Sequence, residues 1–319
     1  MSETIDIVNA LHIFPIKSCH EATVLGQLPS ELHVGQRGFE QNGAADRGWV
    51  VDDEDNLFVT QRGWNRQLAV KHPGDKILAT VAVDIQSDHL AISAEGYGQL
   101  FVPLNTTNTE PRVVTIFGPE LPVIDEGEEA ASFFSALLGR SVRLAKADPT
   151  KPRMLPDKYQ RPGAANQSAA ADGRPFTLAS QASLDHLHDL SGWERGRMPL
   201  SRYRANIDMA GAALGPFGED TLRTVRVGDM TAYIVKALTR CPIPNVNQDT
   251  GSDEGRLSTK LLRPFRMGWA AGEDTSGKAE PFFAQSLNHI YEPREQQIIR
   301  VGDPLVALET GEPNVILKR

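Results

Sequence analysis

Cys241 stands between Arg240 and a Pro-Ile-Pro run, in a stretch that opens at Thr239 and continues through Asn245, Asn247 and Asp249 to Gly251. Cysteine chemistry runs through the thiolate, and a neighbouring cation favours that form. Pro242 lacks a backbone N–H and biases Cys241 toward extended geometry, and Pro244 does the same to Ile243. The thiol is thus held on stiff backbone, a setting that suits a metal ligand or a nucleophile. The competing reading is a buried, apolar-like thiol. Asp249-Thr250-Gly251 reads first as a turn and second as a source of a catalytic carboxylate.

Four cations occupy unusual places: Lys17 after Pro15-Ile16, Arg47 before the Trp49 run, Arg204 at the head of an apolar run, and Arg240. Each is expected at a strand end. Ser18, Asn206, Ser180 and Ser183 add neutral donors. Bidentate arginine and point-charge lysine together suit a phosphate-bearing anion. Taken singly, each cation is equally an ordinary surface charge. Cys19 reads first as a small core residue. His186 and His188 share a predicted helix, but a separation of two does not put them on one face. The sequence holds no Gly-rich phosphate loop, nucleophile elbow or zinc-protease motif.

The elements that must position these groups are mostly strands. Short apolar runs bounded by Gly, Pro, Asn and Asp predict a mainly β protein with a few helices, an α+β class of barrel or sandwich type. Trp49–Val51 and Leu57–Val59 flank an acidic turn and read as a hairpin. Further strands are expected at residues 77–84, 89–93, 99–102, 112–117, 141–146, 205–209, 224–227, 231–237, 298–301 and 305–308. Helices are expected at 128–138, followed by Gly139, and at 180–190 with Ser180 as N-cap. A short helix is expected within 256–265. Residues 148–173 show little periodicity and read as a linker, lid or binding loop. A boundary there divides the chain into 1–147 and 148–319.

The chain has 319 residues, enough for two domains. Its two cysteines exclude a disulfide framework, and they cannot by themselves hold a zinc ribbon or an iron–sulfur cluster. A net charge of −8 argues against nucleic acid as a bulk partner. The start lacks a basic region followed by an apolar run, and no segment has the apolar length to span a bilayer. A cytoplasmic protein with no membrane association is the expectation.

Several pieces, in order along nearly the whole chain, resemble the amidoxime-reducing component family of MOSC-domain proteins. They are Phe14-Pro15-Ile16-Lys17-Ser18-Cys19, Asp46-Arg47-Gly48-Trp49-Val50-Val51-Asp52 and Phe58-Val59-Thr60-Gln61-Arg62. Ser180-Gln181-Ala182-Ser183-Leu184, Ser201 to Ile207, Phe217-Gly218-Glu219-Asp220, Thr239 to Gly251 and Val301-Gly302-Asp303-Pro304 continue the match. The resemblance implies an N-terminal MOSC-associated β-barrel domain followed by a MOSC β-barrel domain. It implies the molybdenum cofactor, molybdenum-molybdopterin, with Cys241 as the sulfur ligand of the metal. Lys17, Ser18, Arg47, Arg204, Asn206, Thr239 and Arg240 match cofactor-contacting positions, and Ser180 and Ser183 lie in a matching stretch. Asp249 is carried as a proton-relay candidate. The implied activity is reduction of small N-hydroxylated substrates. The implied electron donor is a separate ferredoxin, flavin reductase or cytochrome b5-like protein, since no cysteine cluster for a fused iron–sulfur domain is present. Ala205 departs from the family, which usually has proline there. The alternative is a MOSC-type sulfur carrier or cofactor-handling protein that uses a Cys241 persulfide; a degenerate scaffold ranks third.

Overall fold

The computed structural model describes residues 4–62, 73–105 and 111–318. Its centre is a closed barrel of seven strands. Starting from Phe176–Ser180, the order is Ile207–Met209, Thr4–Leu11, Pro304–Thr310, Leu222–Val227, Met230–Thr239 and Glu280–His289, which pairs back onto Phe176–Ser180. All pairings are antiparallel except the first, Leu178 beside Ile207. Closure leaves these strands without a free edge. Beyond the barrel, Met267–Ala270 and Val315–Leu317 extend from Glu280–His289. The mainly β expectation holds.

Three four-stranded sheets and one two-stranded pair, Arg153–Met154 with Gln167–Ser168, make up the rest of the described β structure. One joins Pro111–Thr115, Glu120–Asp125, Val142–Ala147 and Trp49–Asp53. Another joins Ala22–Val24, Ala82–Ile85, His89–Ala94 and Gly98–Pro103. The third begins with Ile298–Arg300, from late in the chain, and runs through Glu31–Gly35, Gly38–Gln41 and Ala44–Ala45. The early strand Thr4–Leu11 lies in the barrel otherwise built after residue 175, and the late strand Ile298–Arg300 pairs with Glu31–Gly35. Each half of the chain therefore lends a strand to the other, and sheet topology does not follow a cut at residue 147. One apolar core runs through both halves, from Val8 and Trp49 to Leu287 and Leu305.

Helix Glu128–Leu138 ends in Gly139 at φ 64°, the left-handed stop that glycine allows. Helix Gln181–Leu190 starts at Ser180, whose side chain accepts from the Ser183 N–H. The short helix falls at Leu257–Leu262. Among the described residues, no helix is long and apolar enough to cross a membrane.

One expectation needs correction, and one long strand had none. Residues 77–80, expected as the start of a strand, belong to a 3-10 helix, Pro73–Thr80, and the strand begins at Ala82. The Thr80 hydroxyl donates to the Ile77 carbonyl, closing that turn, while Leu78 and Ala79 are buried side by side. The ten-residue strand Glu280–His289 carries no alternating signal. It is buried on both faces from Phe282 to His289, and Ala284 at φ 73° interrupts the period.

Candidate functional site

Four segments converge on one cavity of about 460 Å³. The first is the turn after Ile16. Ile16 bridges Trp49, the Lys17 N–H donates to the Trp49 carbonyl at 2.8 Å, and Ser18 takes φ 71°. The second is Asp46 to Gly48, where the Arg47 N–H donates to the Phe14 carbonyl at 2.7 Å and Arg47 sits at φ 52°. The third is the 3-10 turn Leu200–Tyr203, which ends in Arg204 at φ 54°. The fourth is the end of strand Met230–Thr239. Its pairing with Glu280–His289 is irregular between Ile234 and Lys236 and again between Ala237 and Thr239. Such bulges re-aim the side chains that follow them, here Arg240 and Cys241.

Three of the converging residues, Ser18, Arg47 and Arg204, thus hold left-handed backbone without being glycine. That conformation is costly for a residue with a Cβ and persists only where surrounding contacts enforce it. The enforcing contacts are visible. Asp46 accepts from the Phe14 N–H at 2.8 Å and pairs with the Arg47 guanidinium. Arg47 also reaches the Arg204 carbonyl at 3.1 Å and Asn206 Oδ1 at 3.3 Å.

Lys17, Ser18, Arg47, Arg204, Thr239, Arg240 and Cys241 all line this cavity. Cys241 is half-buried there, whereas Cys19 is fully buried in the core, where burial pushes its thiol up to about 12. Asn206 acts one layer back: its side chain holds Arg47, accepts from the Thr177 N–H and donates to the His12 carbonyl. Ser180 and Ser183 are buried at the helix start. The Ser183 hydroxyl donates to Glu219 at 2.8 Å and accepts from the Phe217 N–H at 2.7 Å. Burial raises that Glu219 carboxyl to about 7. Neither serine lines the cavity. Asp249 stands outside it as well, with its side chain 85% exposed, 3.5 Å from His20. Its N–H donates to Asn247 Oδ1, the hydrogen bond of a side-chain-closed turn.

Electrostatics give the cavity its character. Lys17 pairs with Asp172, Arg47 with Asp46 and Lys236 with Glu273. Arg62, Arg174, Arg204 and Arg240 also line the wall, and among the described residues none has a carboxylate within ion-pair distance. Each lies over an aromatic ring instead: Phe117 at 4.3 Å, Tyr159 at 4.1 Å, Phe14 at 4.2 Å and Tyr203 at 5.0 Å. Burial lowers the pKa of Arg204 to about 10 and lowers those of Arg174, Arg240 and Lys17. The Nε atoms of Arg62 and Arg240 are buried without a hydrogen-bond partner. Buried donors are paired as a rule, so orphaned guanidinium nitrogens on a cavity wall point to an absent acceptor. An oxyanion supplies the missing acceptors and charge together.

Arg62, Asp172, Arg174 and Tyr203 were not among the expected site residues. Arg62 lies at the end of a recognisable piece, Phe58 to Arg62, which is the one signal that pointed to it. Arg174 follows an aperiodic stretch and reaches the wall only because strand Phe176–Ser180 pairs with Glu280–His289, placing its guanidinium 3.1 Å from Ser286.

Comparison with known proteins gives a consistent picture. The MOSC N-terminal beta barrel domain matches residues 5–141, and the MOSC domain matches residues 165–306. The mitochondrial amidoxime-reducing component 1 of Mus musculus is 30% identical over 309 residues, covering 96% of this chain and 83% of that protein. The corresponding Homo sapiens protein is 26% identical, covering 96% and 84%. The molybdenum cofactor sulfurase of Danio rerio is 24% identical over 84% of this chain but only 30% of its own length.

Proposed function

The chain belongs to the amidoxime-reducing component family of MOSC-domain proteins, and from that premise we propose that it binds the molybdenum cofactor and reduces N-hydroxylated compounds. The observation that carries this reading is the half-buried thiol of Cys241 opening onto a cavity four of whose arginines, Arg62, Arg174, Arg204 and Arg240, lack carboxylate partners among the described residues.

The residues present fit an anionic, metal-bearing pterin. The orphaned Nε atoms of Arg62 and Arg240 require an acceptor. Arg204, Arg47 and Lys17 add charge, and Ser18 and Thr239 add neutral donors. Cys241 would supply the one protein sulfur, and a thiolate is a sensible ligand for a thiophilic metal. Among the described residues no cluster of three or more His, Cys, Asp or Glu side chains is arranged to hold a metal ion. A metal at Cys241 therefore needs ligands that arrive with it. When bound, this cofactor supplies the two-electron chemistry that takes oxygen from an N–O bond, with two protons leaving in the water formed.

The chain's own part is positioning, charge and protons. The guanidiniums fix the anion, and their aromatic supports keep each planar group oriented. Lys17 is the proton-holding group on the cavity wall, since burial makes its ammonium a better acid than a surface lysine. Asp172 opposes that effect by keeping the ammonium charged. Asp249, exposed beside His20, would serve only as a relay from solvent. A separate redox protein delivering electrons and a cytoplasmic location belong to the same proposal.

Replacing Cys241 with alanine tests the reading. N-reductive turnover with a chemical electron donor should be abolished, while bound pterin persists. Full activity in that variant would refute the ligand assignment. The likeness to a molybdenum cofactor sulfurase favours a second reading, sulfur carriage on Cys241. Labile sulfane sulfur without stoichiometric molybdenum would select it.

A further inference from the structure

Arg204 meets neutral acceptors only. Its Nη1 donates to Gln248 Oε1 at 3.1 Å. Gln248 and Gln61 bond each other reciprocally, Gln61 Nε2 to Gln248 Oε1 at 3.0 Å and Gln248 Nε2 to Gln61 Oε1 at 3.2 Å. Gln61 is buried and also donates to the Ser18 carbonyl at 2.7 Å, while Gln248 donates to the Val246 carbonyl at 3.0 Å. One chain of amides therefore ties together Ser18, Arg204 and the loop that follows Cys241. The loop is also seated from below. A Cβ on Gly251, which sits at φ 66°, would come within 3.2 Å of the Lys76 carbonyl, and Asp253 pairs with Lys76 at 2.9 Å.

The carboxylates nearest Arg204 are committed elsewhere. Asp46 pairs with Arg47, and Glu21 pairs with His12. A carboxylate at position 248 would satisfy Arg204 better than an amide, and it would also cancel the charge. An amide orients the guanidinium through its carbonyl dipole and leaves the charge whole.

We propose that Gln61 and Gln248 form a neutral amide clasp that positions Arg204 and the Cys241 loop while preserving the Arg204 charge for a phosphate-type oxyanion. Both are positioning residues that act through Arg204. The proposal rests on the cofactor reading for the identity of the natural ligand, but the clasp itself is testable without it.

The experiment uses the full chain made in cells unable to synthesise the cofactor, with inorganic phosphate titrated calorimetrically. Gln248→Glu changes one atom and should weaken phosphate binding by roughly tenfold or more, the scale of one charge-assisted hydrogen bond. Its Tm should fall only modestly, because the new carboxylate pairs with Arg204 while losing the donation to the Val246 carbonyl. Gln248→Leu keeps the charge but loses the orientation and should bind phosphate less weakly than Gln248→Glu. Adding Gln61→Leu to Gln248→Leu should cost no further affinity, since the clasp is already open. Unchanged phosphate affinity in Gln248→Glu overturns the proposal, as does a wild-type chain with no saturable phosphate binding. Should Gln248→Glu fail to fold, the order of Gln248→Leu and the double variant still decides. Molybdopterin content of protein from cofactor-competent cells reports separately on the cofactor reading. Absent pterin with a phosphate-sensitive clasp would sink that reading and leave the clasp standing.

Discussion

Two arginine clusters in this molecule obey opposite rules. On the sheet built from Trp49–Asp53, Pro111–Thr115, Glu120–Asp125 and Val142–Ala147, every guanidinium has its carboxylate. Arg112 bonds Asp125 at 2.7 Å and also pairs with buried Asp52. Arg143 bonds Asp125 at 2.6 Å and Glu128 at 2.9 Å. Burial works against charge at Asp125, but Arg143, the Gly127 N–H and Arg112 outweigh it and hold the carboxyl down at about 2. In the Cys241 cavity, Arg62, Arg174, Arg204 and Arg240 have aromatic rings and neutral acceptors in place of carboxylates. A matched cluster serves the fold, because its charges are neutralised within the chain. An unmatched cluster on a cavity wall burdens the fold and serves a ligand, because its charge is left to be neutralised from outside.

The same kind of substitution should therefore have opposite effects in the two places. Removing Arg204 and Arg240 together by alanine substitution should weaken oxyanion binding by roughly 100-fold or more, from two lost charge-assisted hydrogen bonds. Thermal stability should change little, since uncompensated buried charge is removed along with the packing on Phe14 and Tyr203. Pterin content and a thermal melt read the two effects. Arg112→Ala should do the reverse, costing about 3 kcal/mol of stability because buried Asp52 loses its cation, while Asp125 keeps Arg143. Phosphate affinity of the folded Arg112→Ala chain, measured without denaturant, serves as the control and should match the wild type. Equal stability losses in both variants would erase the distinction.

How much of this was legible before folding differs by residue. The Cys241 segment was legible because its signals are local: a cation beside a thiol, and prolines at fixed offsets. The helix starting at Ser180 was legible because a hydroxyl N-cap and leucine spacing are also local. The convergence of Lys17, Arg47, Arg204 and Arg240 was expected only through resemblance, since no spacing rule brings residues so distant in sequence together. The left-handed backbone at Ser18, Arg47 and Arg204 had no signal, because non-glycine residues take that region only under tertiary constraint. Strand Glu280–His289 was hidden by burial on both faces and a bulge, yet it closes the barrel. The exchange of Thr4–Leu11 and Ile298–Arg300 between the halves is equally non-local.

Titration gives a second way to separate matched from unmatched charge. His12 lies between Glu21 and Asp208, the latter at 3.1 Å. Burial favours the neutral ring, but hydrogen bonds to Asp208 and Glu21 outweigh it and raise the imidazole from 6.5 to about 10. A raised folded-state value means that the contribution is fully present below about 6.5 and is lost as pH rises toward 10. Asp125 has the opposite sign: its contribution is present above the ordinary carboxylate range and is lost as pH falls toward about 2. Tm should therefore decline along both limbs. His12→Phe should flatten the alkaline limb, and the His12 ring resonances should titrate near 10. A ring titrating near 6.5 would remove His12 from the matched set.

The smallest expected effect tests the boundary between the two kinds of residue. The resemblance makes Ser180 a candidate cofactor contact, yet its hydroxyl accepts from the Ser183 N–H at 3.3 Å at the start of helix Gln181–Leu190. It is fully buried, and Gly211 packs so closely that a Cβ there would come within 2.1 Å of the hydroxyl oxygen. A residue in this position contributes to the fold through one neutral hydrogen bond. Ser180→Ala should cost about 1 kcal/mol of stability, the ordinary worth of an N-cap. The melt sets the scale, and pterin content is then measured in the same preparation. If pterin is lost far beyond what a shift of that size explains, Ser180 contacts the ligand and belongs with the unmatched arginines. If pterin loss only tracks the small destabilisation, its place is with Asp52 and Asp125, among groups whose partners lie within the chain.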